Sequence, residues 1–180
     1  MKKLIIIIIL FGLSHTIKAQ GLGIGPVLGY QKAPDAEEGS FLGGAAVRLG
    51  LSEAFSLEGA ILVRSENYLN NTIKVTNYPV MVSGLFYVLP ILYGTVGAGW
   101  YNSKIEYNID APGFLEPEDQ THQDFGWHFG GGVEFPLRSK VNLTGDIRYV
   151  FLNYEFEDVP GSDDIQNDFF MINVGLFFEL

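Results

Sequence analysis

The chain has 180 residues, 11 basic against 21 acidic, for a net charge of −10, and it contains no cysteine. Such acidity argues against nucleic acid as a partner. The lack of cysteine excludes a disulfide framework, a thiol site and a lipoprotein anchor through cysteine.

The first residues, MKKLIIIIILFGLSHTIKAQ, set two lysines ahead of an apolar core from Leu4 to Leu13 and a small-residue site at Ile17-Lys18-Ala19. That order predicts a signal peptide over 1–19, cleaved after Ala19, because so short an apolar run falls below the ~20 residues a spanning helix needs. Residues 20–180 then form one domain, and losing Lys2, Lys3 and Lys18 leaves eight basic against 21 acidic residues, a net charge of −13.

Along that domain the recurring pattern is alternation. Leu22, Ile24, Pro26, Leu28 and Tyr30 oppose Gly21, Gly23, Gly25 and Gly29. Phe41, Ala45, Val47 and Leu49 oppose Gly44, Ala46, Arg48 and Gly50, and Phe55, Leu57, Ile61 and Val63 oppose Ser56, Glu58, Ala60 and Arg64. Two segments, 73–87 and 91–106, alternate less cleanly and are assigned by spacing; Pro79, which cannot donate to a ladder, predicts a bulge there. DFGWHFGGGVEF sets Phe125, Trp127, Phe129, Val133 and Phe135 against Asp124, His128, Glu134 and three glycines. Val141, Leu143, Ile147, Tyr149 and Phe151 oppose Asn142, Thr144, Asp146 and Arg148, and the final run alternates from Phe170 to Leu180. A period of two is the period of a strand with unlike faces.

The pattern predicts eight strands, at 20–31, 39–51, 55–66, 73–87, 91–106, 123–135, 140–154 and 166–180. Their connections alternate between tight turns and longer polar loops, the longest running from Glu106 to His122. That rhythm fits an all-β, antiparallel up-and-down barrel with a short-turn end and a long-loop end. Eight strands leave a lumen just wide enough for side chains. The glycine-rich, charged parity suits that lumen, so the bulky parity must face outward, and lipid is what can cover it.

The closing NVGLFFEL resembles the signal by which outer-membrane barrels are recognised for assembly, with Asn173, Gly175, Phe178 and Leu180 at its positions; Leu180 stands where an aromatic is more usual. YGTVGAGWY and FGWHFGGGVEFPLRSKVNLTGDIRYVFLNYE resemble the later hairpins of the OmpA/OmpX-like outer-membrane β-barrel family, and Ala19-Gln20 resembles the cleavage site of exported Bacteroidetes-type proteins. The resemblance spans the exported chain as architecture. It implies residence in the outer membrane, both termini in the periplasm, a monomer, and contact with outer-membrane lipids and the barrel assembly machinery. No further domain is expected after the barrel.

Several residues invite chemistry. His128 faces the predicted lumen, where a base of a lipid-modifying enzyme could sit, but no serine is near it in sequence; a hydrogen-bonded lumen histidine is the simpler reading. Ser83 and Ser103 could reach it only through the fold. His122 beside Gln123 and Asp124 makes no metal site. Arg48 and Glu58 fall opposite each other across the Ser52–Ala54 turn, and Asp146 and Arg148 share the inward parity. With Arg64 and Glu134 they predict a lumen charge network, because a charge in a narrow lumen must be paired or hydrated. A bonded network plugs the barrel; the alternative is a small-conductance channel. Tyr30, Trp100, Trp127, Phe135, Tyr149 and Phe178 fall near strand ends, as interfacial girdles do. The acidic loops lack calcium-loop spacing. The expectation is therefore a structural or loop-binding barrel, not an enzyme, with no cofactor or metal, whose loops 106–122 and 155–165 meet any extracellular ligand or protein.

Overall fold

The computed structural model describes residues 21–32, 39–68, 73–107, 120–152 and 168–180, and for 66–68, 73, 105–107 and 120 the backbone alone. These residues form eight strands: β1 (Gly21–Lys32), β2 (Ser40–Ser52), β3 (Phe55–Tyr68), β4 (Ile73–Leu89), β5 (Leu92–Tyr107), β6 (Gln120–Arg138), β7 (Val141–Leu152) and β8 (Phe169–Glu179). Each pairs antiparallel with the next, and β8 returns to β1, closing a barrel in the order β1 to β8. Closure leaves no sheet edge, so the C-terminal strand has a neighbour on both sides.

The strands match the expected ones closely, with one difference that matters. β6 starts at Gln120 and β5 ends at Tyr107, so His122 lies in a strand and the connection expected over 106–122 shrinks to 108–119. That segment, the 155–165 loop and the leader 1–19 lie outside the described residues. Pro79 makes no bulge. The β3–β4 ladder merely skips from Ile61↔Val80 to Arg64↔Asn77 without changing register, since proline removes a donor but leaves the strand extended. Register shifts occur instead at the short turns, Gly50/Ser52, Tyr87/Leu89 and Pro136/Arg138.

The two parities separate as the barrel argument requires. Leu28, Ile61, Val82, Trp127, Phe129, Ile147 and Phe170 are exposed on the outer wall. The opposite parity is buried, and the strand glycines on it allow close approach of neighbouring strands. A Cβ at Gly25 would overlap the carbonyl of Leu176 on β8, whereas one at the outward Gly59 meets nothing within 4 Å. Gly25→Val is therefore expected to prevent closure of the β1–β8 seam, and Gly59→Val to be tolerated. Loss of the heat-modifiable folded band on a semi-native gel for the first variant alone checks this.

Candidate functional site: a charge network across the lumen

The inward parity brings five ionised side chains into one chain of alternating sign. Arg48 and Glu58 are direct partners in the β2–β3 register, and Arg48 Nε donates to Glu58 Oε2 at 3.1 Å. Arg48 Nη1 also donates to Glu134 Oε2 on β6 at 2.7 Å. Glu58 Oε1 accepts from Arg148 Nη2 at 2.7 Å, and Arg148 Nε donates to Asp146 Oδ1 at 2.7 Å. The order is thus Glu134, Arg48, Glu58, Arg148, Asp146. Because β3 and β7 stand on opposite sides of an eight-stranded barrel, the Glu58–Arg148 bridge spans the lumen.

Three carboxylates meet only two guanidinium groups here, and neutral donors make up the deficit. Tyr87 and Asn142 donate to Glu134, while the Tyr93 hydroxyl and Asn173 Nδ2 donate to Asp146 at 3.1 Å and 2.9 Å. The Arg48 guanidinium also lies 4.4 Å from the Phe177 ring centroid. All five ionised groups are buried or nearly so, which is tolerable because each is hydrogen-bonded as well as paired.

Arg64, grouped with these five on parity, lies elsewhere. It is six residues beyond Glu58 on β3, about 20 Å along the strand. With the Asn77 carboxamide turned to present its oxygen, Arg64 Nη2 donates to it at 2.8 Å. Parity alone could not separate the two depths.

A single step along each strand toward the long-loop end changes the chemistry. Two residues from Arg48, Glu58, Ser83, Arg148 and Asn173 come Ala46, Ala60, Met81, Val150 and Met171, which belong with Leu42, Leu62, Tyr101 and Phe169 to one buried apolar cluster. Between the charges and this layer only about 10 Å³ of space remains, roughly one water's worth. On the other side a cavity of about 340 Å³ opens at the short-turn end, with Arg48, Tyr87, Glu134 and Phe177 in its lining.

The fold also brings Ser83 to His128, a contact the sequence left unseen: Ser83 Oγ lies 2.8 Å from His128 Nε2. It does not assemble a triad. His128 Nδ1, where an orienting acid belongs, has no partner among the described residues, and Arg148 Nη1 already occupies the Ser83 hydroxyl at 3.0 Å. Both side chains are about 1% exposed, beyond reach of a substrate. Ser103 lies instead at the loop end, bonded to Asn77. No group of metal-ligating side chains occurs among the described residues.

The four terminal-strand positions divide by face. Asn173 and Gly175 are buried against Asp146 and Thr144, Phe178 is half-exposed on the outer wall, and Leu180 N donates to Leu22 O across the closing seam.

The model of the outer membrane protein beta-barrel domain family matches residues 7–178. The chain belongs to that family. It is an outer membrane barrel, and its exposed apolar wall is the lipid-facing one. Among solved structures it is similar to Neisserial surface protein A, with a TM-score of 0.62 and 11% identity over 90% of this chain and 99% of that one. A major outer membrane protein from Thermus thermophilus gives 0.64 and 11%, over 88% and 99%. Ail of Yersinia pestis, solved in complex with the heparin analogue sucrose octasulfate, gives 0.55 and 14%, over 89% and 97%. At these identities the likeness speaks to the fold. Comparison with curated protein sequences gives no match.

Proposed function

We propose that this outer membrane barrel is closed to ions and acts as a structural and loop-presenting protein of the cell envelope, not as a channel or an enzyme. The observation that carries this is the Glu58–Arg148 bridge, which ties opposite walls together beneath an apolar layer. A conducting path would need water-filled volume along its whole length, and about 10 Å³ lies between the two layers. In a planar bilayer the reconstituted protein is expected to give no conductance steps. Discrete steps whose ion selectivity changes in Glu58→Gln would overturn the reading.

Contacts outside the cell fall to the long connections. Residues 33–38, 108–119 and 153–167 carry twelve acidic residues and no lysine or arginine, which is most of the chain's charge. Such segments attract cationic partners and repel sulfated sugars, unlike the anionic ligand seen with Ail. Phe114 and Leu115 add apolar contact in 108–119. Shortening 110–119 to a tight turn is expected to leave heat-modifiability intact and to abolish binding to a polycation such as polylysine. Undiminished binding would remove these loops from the function. Assembly through the barrel machinery by the last strand and a monomeric state belong to the same reading.

A further inference from the structure

The short-turn end carries an anomaly that neither the lumen nor the loops explain. The β4–β5 turn is wholly apolar: Val88, Leu89, Pro90, Ile91 and Leu92 follow one another, and Val88 and Leu89 are 69% and 57% exposed. A water-facing turn has no use for such a run, and the neighbouring β2–β3 turn, Ser52-Glu53-Ala54, shows the polar alternative. The next turn along, between β6 and β7, instead carries two exposed cations, Arg138 and Lys140. They are two of only eight basic residues, against 21 acidic ones, in 20–180.

The heights of the two turns differ in a definite sense. Glu134 N donates to Ile91 O, so the apolar turn ends level with Glu134. Arg138 lies four residues further down β6, about 13 Å along the strand. At the usual strand tilt it reaches about 10 Å further out of the membrane. The apolar turn is continuous with the lipid-facing wall through Phe86 above it and through Phe135 beside it. We infer that the short-turn rim seats an anionic phospholipid: Val88, Leu89 and Ile91 enter the acyl-chain region, and Arg138 and Lys140 meet the phosphates one layer out. The barrel thereby sits deeper on its β4–β6 side than at the acidic Glu53 turn, and the partner is a lipid leaflet, not a protein or a second copy. This holds whether or not the lumen conducts.

The absence of cysteine makes the test direct. Leu89→Cys and Glu53→Cys, each carrying an environment-sensitive fluorophore, are compared in phosphatidylcholine vesicles at low protein density, first alone and then with phosphatidylglycerol. The Leu89 label is expected to be quenched by bromine on the acyl chains and shielded from aqueous iodide, with the Glu53 label behaving the opposite way. Brominated phosphatidylglycerol should quench the Leu89 label in preference to brominated phosphatidylcholine, and Arg138→Gln with Lys140→Gln should lower that preference about tenfold. Equal iodide access at the two sites overturns the proposal. Shielding that appears only at high protein density assigns the turn to a second copy and overturns it as well. A preference for the anionic lipid that survives loss of both cations removes the headgroup half of the site.

Discussion

Arg148→Met is expected to destabilise the folded barrel by about 3–5 kcal/mol, measured by denaturant unfolding in detergent or lipid. Arg148 makes two hydrogen bonds to Asp146, one to Glu58 and one to Ser83, and is 2% exposed. Its loss leaves two buried carboxylates with one guanidinium less between them, and Asp146 keeps only the Tyr93 and Asn173 donors. The effect should be strongly non-additive: Arg148→Met with Asp146→Asn removes the stranded charge and should recover much of the loss. An exposed cation such as Lys140 replaced by glutamine should change stability by no more than about 0.5 kcal/mol. Additive single and double effects would mean the network is not a unit.

The second large effect is expected at the end of the chain. Phe178→Asp puts a carboxylate on the lipid-facing wall, where Phe178 pairs with Ile24 of β1 and Val141 of β7 at the closing seam. The variant should fail to show the heat-modifiable folded band, because the change both strikes the proposed recognition position and exposes a charge to lipid. Insertion equal to that of the parent would separate β8 from any role in recognition beyond closure. The inward Thr144→Ser, which keeps a hydroxyl near Gly175 O, should assemble normally.

Much of this was legible from alternation, because a period of two is enforced wherever two faces meet different solvents. The strand count, the parity of Arg48, Glu58, Asp146 and Arg148, and the register that sets Arg48 opposite Glu58 all follow from that rule and from one tight turn. The contacts that cross the lumen do not. Glu58 and Arg148 lie ninety residues apart, and Ser83 and His128 forty-five. Closure brings the first pair together, whereas the second meets over Gly97, which pairs with Ser83 on one side and His128 on the other. Parity says nothing about height, which is why it groups Arg64 with charges about 20 Å away. The apolar lumen layer was also hidden. A lumen read as small and charged also holds Leu42, Leu62, Met81, Phe169 and Met171. It can do so because glycines stand where these side chains need room: a Cβ at Gly29 would strike Leu42, and one at Gly126 would strike Leu152.

The bulky parity faces lipid and the charged parity faces the lumen. Trp100 and Trp127, the only tryptophans in the chain, both lie on the outer wall, 44% and 54% exposed. The most direct measurement is therefore the intrinsic tryptophan fluorescence of the unmodified protein in vesicles whose lipids are brominated along the acyl chain. Blue-shifted emission, strong quenching by the brominated lipid and little quenching by aqueous acrylamide are expected. Emission indifferent to brominated lipid would place the tryptophans inside the barrel and reverse the two faces.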